Sequence, residues 1–148
     1  MSNPLIAKSA ITINAPINLV WDLITNSDQI RKFMLGMEAV SDWKVGGELR
    51  WIGRHEERPN DNARGIIKKM DPGRQLSYTF FYPGYGYPDE PQNYNLVIYD
   101  LEVVHDRTTI SVQQGDFSIF KDGETMRGHS QQFWEHVLKN LKGLAEQM

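Results

Sequence analysis

The feature that most constrains the fold is a long amphipathic segment in the last part of the sequence. Over residues 124–147, apolar side chains recur every three or four positions, which is the spacing of one face of an α-helix. They are Phe133, Trp134, Val137, Leu138, Leu141 and Leu144. Gly143 weakens only the last turns. A helix of this kind has to bury its apolar stripe against another layer of structure.

The earlier residues predict that second layer as a β-sheet. Alternating, β-branched and aromatic residues indicate strands over residues 6–14, 48–55, 63–70, 75–82, 93–104 and 108–116. The turns between most of them are short, and Asp71-Pro72-Gly73 has residues that a tight turn favours. Consecutive strands with short turns form an antiparallel sheet.

Two short helices are expected between the first two strands. Ile17, Val20, Trp21 and Ile24 have helical spacing after Pro16, which predicts a helix over residues 16–25. Ser27 or Asp28 is the predicted cap of a second helix that reaches residue 31 or 33. Residues 36–42 are predicted to be irregular. The fold class is therefore α+β, with about six strands curved around the long helix.

Composition narrows the possible partners. The 148 residues suit one domain, and a net charge of −3 without a run of basic residues argues against nucleic-acid binding. No apolar stretch approaches the ~20 residues of a membrane-spanning helix. The first residues carry no secretory signal, so a cytoplasmic location is expected. A homodimer would be usual for a protein of this size.

Several short motifs have a familiar order and spacing. They are Val45-Gly46-Gly47-Glu48-Leu49-Arg50, Gly65-Ile66-Ile67 followed by residues 71–76, Asp100-Leu101-Glu102 before Thr108-Thr109-Ile110, residues 33–36, and residues 134–144. Together they resemble the START-like, or SRPBCC, superfamily across nearly the whole chain. The closest likeness is to the group related to the activator of heat shock protein 90 ATPase.

This resemblance implies a helix-grip fold and, through the group's name, a link to the stress response. The sequence departs from the family pattern in two places. Phe33 or Met34 stands where the family usually has Trp after the short helices. The second domain with which the co-chaperone engages its chaperone is not present in these residues, so we do not expect a chaperone contact.

Catalytic and metal chemistry have few candidates in this sequence. No cysteine is present, which excludes disulfides and thiolate nucleophiles. Of the four histidines, His105, His129 and His136 are expected at the surface, and so is His55, although Glu56 and Glu57 adjoin it. No metal-ligand spacing or phosphate-binding loop occurs, so no cofactor and no metal is expected.

Aromatic residues on the predicted strands are the best candidates for a binding site. A curved sheet and one helix leave space that either packed side chains or a ligand can fill. The candidate cavity-lining residues are Trp51, Tyr78, Phe80, Tyr82, Tyr99, Trp134, Leu138 and Leu141. A filled core is the competing interpretation of the same residues.

Two further groups of residues bear on the site. Arg50 and Arg54 alternate with apolar residues and are predicted to face solvent, with ligand carboxylate binding as the alternative. The loop at residues 83–91 carries Tyr85 and Tyr87 and is predicted either to cover the cavity mouth or to form a dimer contact.

The sequence therefore favours the binding of a hydrophobic small molecule, apolar or amphipathic, between the sheet and the C-terminal helix over catalysis. One alternative is an enzyme of the superfamily's cyclase or hydrolase type that uses a cavity acid or base. Another is an interaction module that modulates a chaperone.

Overall fold

We analysed a computed structural model that describes residues 4–53 and 63–148. The chain forms, in order, β1 (Ala7–Ile13), α1 (Ile17–Ile24), α2 (Ser27–Ile30), β2 (Glu38–Val40), β3 (Glu48–Ile52), β4 (Ala63–Asp71), β5 (Gln75–Phe80), β6 (Asn95–Val104), β7 (Arg107–Gly115) and α3 (Gly123–Glu146). Short 3-10 turns occupy Pro83–Tyr85, Pro91–Asn93 and Phe117–Ile119.

The described strands form one antiparallel sheet in the order β1-β7-β6-β5-β4-β3-β2. The sheet curls into a half-barrel around α3, which confirms the predicted helix-grip fold. The sheet of the described residues has seven strands, one more than the predicted number of about six. The added strand is β2, in the region predicted to be irregular. It has only three residues, too few for alternation to be visible, and Ala39 pairs with Trp51.

Both short helices follow the first strand as predicted, but the cap of α2 differs. Asn26 is its N-cap, and the Asn26 side-chain oxygen accepts a hydrogen bond from the Asp28 N–H at 3.0 Å. Ser27 and Asp28 are therefore inside the helix. Asn caps helices as readily as Ser or Asp does, so residue preference alone did not distinguish the three positions.

Two strand ends near the candidate site also differ from the prediction. β5 ends at Phe80 and β6 begins at Asn95, so Tyr82 and Tyr94 lie outside the strands. Beyond β5, Phe81 forms an isolated bridge with Arg64 before the chain turns at Pro83. The predicted end of β3 at residue 55 lies outside the described residues.

Side chains of α3 bind the main chain of β1, which is an edge strand of the sheet. The Gln131 side chain accepts a hydrogen bond from Lys8 N–H at 2.8 Å and also donates one to the Lys8 carbonyl. Lys142 Nζ donates to the Thr12 carbonyl at 2.9 Å. These bonds satisfy main-chain groups that an edge strand otherwise offers to other chains.

The core lies between the concave face of the sheet and α3. The buried residues of α3 are Gly123, Ser130, Trp134, Val137, Leu138, Leu141 and Ala145. α1 also contacts α3, and its buried residues Val20, Leu23 and Ile24 join the same apolar cluster. No helix in the described part of the chain combines the length and apolar character needed to cross a membrane.

β4 and β5 approach each other closely at Gly65, and this closeness gives a test of the fold. A Cβ atom at Gly65 would lie 1.6 Å from the Thr79 carbonyl oxygen. We expect Gly65→Ala to lower the free energy of unfolding by about 2 kcal/mol or more, measured by urea denaturation.

Gly128 provides a matched control for this change. A Cβ atom at Gly128, on α3, would meet no atom within 4 Å. Gly128→Ala should therefore raise the free energy of unfolding by about 0.5–1 kcal/mol, because Ala loses less conformational entropy in a helix. Equal effects of the two changes would contradict the β4–β5 packing described here.

Candidate ligand-binding site

A cavity of about 410 Å³ lies between the N-terminal half of α3 and the concave face of the sheet. Aromatic and apolar side chains form most of its wall. The lining residues are Met34, Leu35, Gly36, Met37, Trp51, Gly53, Ala63, Tyr78, Phe80, Tyr82, Tyr85, Gln114, His129, Ser130, Phe133 and Trp134. The volume is in the range of pockets that hold small molecules.

The aromatic wall follows from the alternation of β5. Tyr78 and Phe80 are two residues apart on the strand, and Tyr82 continues the same spacing beyond its end, so all three reach one face. Trp51 on β3 lies beside Tyr78, with ring centroids 6.0 Å apart. Phe133 meets Trp134 edge to face at 5.1 Å on the helix side. The cavity therefore has aromatic surfaces on both the sheet and the helix.

One part of the cavity wall is polar and carries a chain of buried hydrogen bonds. Gln114 Oε1 accepts from Trp134 Nε1 and from Ser130 Oγ, each at 2.9 Å. Gln114 Nε2 donates to Asn95 Oδ1 at 3.2 Å, and Asn95 Nδ2 donates to the Asp116 carbonyl at 3.3 Å. Gln114, Asn95 and Ser130 are each at least nine-tenths buried. Buried polar groups cost little only when they are paired in this way.

Burial raises the pKa of two tyrosines in the cavity wall, Tyr78 and Tyr85. The pKa of Tyr78 is well above its usual value, first because of burial and then because of neighbouring Tyr99. Burial also raises the pKa of Tyr99, which lies behind the wall and meets Trp134 edge to face at 5.6 Å. The pKa of Tyr85 is raised by burial and then by Tyr82. Tyr78 and Tyr85 are therefore neutral at physiological pH.

The segment after α2 forms an exposed part of the cavity wall. Leu35 has a positive φ of 55° and leaves 50% of its surface exposed, and Gly36 follows with a φ of 84°. A positive φ is uncommon for a residue with a side chain. Met34 and Met37 flank this turn and also line the cavity. Leu35 therefore places an apolar side chain in solvent at the cavity mouth.

The loop after β5 lies at the same cavity and is held on one side by aromatic contacts. Tyr85 meets Tyr82 edge to face at 5.0 Å and lies 5.7 Å from Phe120. The Tyr87 hydroxyl accepts a hydrogen bond from Lys121 N–H at 2.9 Å. Tyr85 lines the cavity, whereas Tyr87 packs on Phe120 outside it.

A second contact holds this loop to β4. Arg64 binds Asp89 through Nε at 2.9 Å and also through its terminal guanidinium nitrogen, and the Tyr94 hydroxyl donates to the other Asp89 oxygen. The Tyr94 and Arg64 hydrogen bonds hold the pKa of Asp89 below its usual value. Arg64 also lies over the Phe81 ring, 5.2 Å from its centroid.

Five of the predicted lining residues surround the cavity, namely Trp51, Tyr78, Phe80, Tyr82 and Trp134. Tyr99, Leu138 and Leu141 are buried in the core and are not among its lining residues. Both leucines lie on the C-terminal half of α3, where they belong to the buried apolar cluster. Ligand contact by any of these residues stays a prediction.

Sequence reasoning missed Gln114, Ser130, Phe133 and the methionines. A signal for the first two was present. Gln114 occupies an inward position of β7 in alternation with Ile110 and Val112, and Ser130 precedes Trp134 by one helical turn. Polar residues at positions with apolar periodicity mark buried polar contacts.

The histidines and arginines considered as site candidates are exposed wherever the structure describes them. His105 and His136 are exposed as predicted, and His129 is exposed but lines the cavity. Arg50 is exposed and lies 3.6 Å from Glu48. His55 and Arg54 lie outside the described residues. Among those described, no three His, Asp or Glu side chains are grouped so that they could hold a metal ion.

Trp134 lines the cavity and also donates to the buried hydrogen-bond chain, so its removal should destabilise the protein. We expect Trp134→Ala to reduce the free energy of unfolding by about 3–5 kcal/mol, because a side chain that is 3% exposed leaves a void. Chemical denaturation measures the loss. His136→Ala, on the exposed face of the same helix, should change it by less than about 0.5 kcal/mol. A loss below ~1 kcal/mol for Trp134→Ala would show that the wall is not packed as described.

Comparison with known proteins identifies the family of this chain. Residues 14–146 match the model of the family described as Activator of Hsp90 ATPase homolog 1-like protein. No curated protein matches the sequence significantly.

Solved structures share the fold over almost the whole chain. The solution structure of ChR145 from Cytophaga hutchinsonii has 31% identity and a TM-score of 0.81, with 99% of this chain and 97% of that chain covered. The crystal structure of MLL2253 from Mesorhizobium loti has 15% identity and a TM-score of 0.75, with 95% and 98% covered.

The Aha1 dimer from Colwellia psychrerythraea, also a solution structure, has 14% identity and a TM-score of 0.73, with 95% of this chain and 96% of that chain covered. The last two likenesses concern the fold alone. With a family match over most of its length and a relative of 31% identity, this chain belongs to the family of Activator of Hsp90 ATPase homolog 1-like proteins.

Proposed function

We propose that this protein binds a small neutral ligand, apolar or aromatic, in the cavity between α3 and the sheet. The observation that carries the proposal is the cavity itself, about 410 Å³ in volume and walled by aromatic side chains on two sides. Protein interiors are otherwise close-packed and leave few voids larger than a water molecule. A space of this size with a few convergent polar groups is typical of a ligand site.

The wall chemistry supports an apolar partner. Trp51, Tyr78, Phe80 and Trp134 present rings that can bury a flat molecule against large apolar surfaces. Each Å² of apolar surface removed from water contributes roughly 25 cal/mol. Leu35 stands half exposed at the mouth, so a ligand that reaches it also removes its side chain from water.

The titratable groups favour binding over acid–base catalysis. Among the described lining residues, none is Asp, Glu, Lys or Arg. Tyr78 and Tyr85 have pKa values raised by burial, so at neutral pH they act as hydrogen-bond partners and not as bases. The described wall is therefore suited to orient a ligand through hydrogen bonds, and the histidine among its residues, His129, lies at the exposed mouth.

A ligand should enter the cavity where its lining residues are exposed to solvent. Leu35, Gly36 and His129 are the exposed members of the wall, and they come from the turn after α2 and from α3. The loop that carries Tyr85 lines the same cavity and is held by the Arg64–Asp89 pair and by Tyr87. A homodimer and a cytoplasmic location stay predictions; a dimer is described for the Colwellia relative.

A neutral fluorescent dye tests the proposal directly. 6-Propionyl-2-dimethylaminonaphthalene (prodan) brightens and shifts its emission when it leaves water for an apolar site. We expect saturable binding to the wild-type protein. Ala63→Leu should weaken it about tenfold, which corresponds to ~1.4 kcal/mol, because Ala63 lines the cavity and the larger side chain occupies ligand space.

Ala10→Leu is the matched control, since Ala10 is exposed on β1 and is not a lining residue. It should bind prodan as the wild type does, with both variants checked for folding by circular dichroism. Absence of saturable binding to the wild type would rule out the proposed function. Equal affinities of the two variants would place the dye outside this cavity.

A further inference from the structure

The buried hydrogen-bond chain beside the cavity has a direction that is fixed at both ends. At one end, the indole Nε1–H of Trp134 can only donate. At the other end, the main-chain carbonyl of Asp116 can only accept, so the Asn95 atom that faces it has to be Nδ2. Asn95 therefore turns Oδ1 toward Gln114 and accepts a hydrogen bond from Gln114 Nε2. The same amide orientation is required by Trp134, because Oε1 is the only Gln114 atom that can accept its hydrogen.

This direction determines the role of the Ser130 hydroxyl. Ser130 Oγ lies 2.9 Å from Gln114 Oε1, an atom without hydrogens, so the hydroxyl hydrogen has to point at Gln114. The hydroxyl has only that one hydrogen to give. Its lone pairs remain, and Ser130 is one of the residues that line the cavity. Toward a ligand, Ser130 therefore acts as an acceptor, because it could donate only by giving up its hydrogen bond to Gln114.

We propose that Ser130 selects ligands that carry a hydrogen-bond donor, an O–H or N–H group, at the end of the molecule that lies against α3. The inference rests on the proposed function and adds the chemical class of the ligand: an apolar or aromatic body with a neutral donor, such as a phenol. A molecule with only an acceptor there, such as the corresponding ether, finds an oxygen lone pair opposite its own.

The surroundings strengthen this selection. Ser130 is only 9% exposed and Gln114 only 5%, so a ligand group that reaches them loses most of its contact with water. A donor that leaves water without finding a partner is disfavoured, and an acceptor placed against another acceptor is disfavoured as well. Rotation of the Ser130 hydroxyl toward an ether oxygen would remove one of the two hydrogen bonds that Gln114 Oε1 accepts.

A competition experiment with two matched compounds tests the inference. Bound prodan, which has no hydrogen-bond donor, is displaced from the protein by 1-naphthol or by 1-methoxynaphthalene, which differ in the donor. We expect 1-naphthol to bind the wild type about fivefold more tightly than the ether, the effect of one neutral hydrogen bond. In Ser130→Ala this ratio should fall to about one.

Two control variants separate this role from a loss of folding. Ser130→Thr keeps the hydroxyl and should keep the preference for 1-naphthol. Ser111→Ala makes the same chemical change on β7 at a residue outside the cavity lining and should also keep it. Prodan binding shows whether each of these two variants, and Ser130→Ala, is folded.

The outcomes are distinguishable. If prodan binds but the wild type shows no preference for 1-naphthol, or if Ser130→Ala retains the preference, the inference about Ser130 is overturned and the proposed function stands. If prodan does not bind the wild type, the proposed function fails and the inference fails with it.

Discussion

The structure depends on one mismatch of size, between a wide curved sheet and the single long helix that covers it. Seven strands at a spacing of ~4.8 Å span about 29 Å, whereas a helix with its side chains is about 10 Å across. α3 therefore cannot fill the concave face alone. α1 and α2 add Val20, Leu23 and Ile30 to the core, and α1 contacts α3. Among the described residues, neither short helix lines the space beside the N-terminal half of α3, and the cavity remains there.

The polar chain from Trp134 to Asp116 stabilises this arrangement in a way that apolar packing does not. Apolar contacts have little directional preference, but each hydrogen bond in this chain requires a donor to face an acceptor. Gln114 joins β7 to α3, and Asn95 joins β6 to the segment that leads into the helix. The rotation of α3 about its own axis, and with it the set of side chains that face the cavity, is therefore fixed by hydrogen bonds.

The sequence predicted the fold well because the elements that define it are long and periodic. The 24 residues of α3 and the strands β4 to β7 carry enough repeats for their period to be recognised. β2 has three residues and the cap of α2 depends on one side chain, so neither leaves a periodic signal. The site was only half predicted for another reason. Periodicity shows that Leu138, Leu141 and Trp134 share the inner face of α3, but where packing ends and the cavity begins depends on α1 and α2, which are distant in sequence.

The hydrogen bonds between α3 and β1 have a consequence for the order in which the protein can assemble during synthesis. β1 emerges from the ribosome before β7 and α3, yet it pairs with residues 108–114 of β7 and binds Gln131 and Lys142 of α3. The other neighbouring strand pairs, from β2 to β7, can form as the chain lengthens, because each joins consecutive strands. β1 has to wait until β7 and α3 have been made, so the closing of the sheet and the docking of the helix belong to the same late, long-range step.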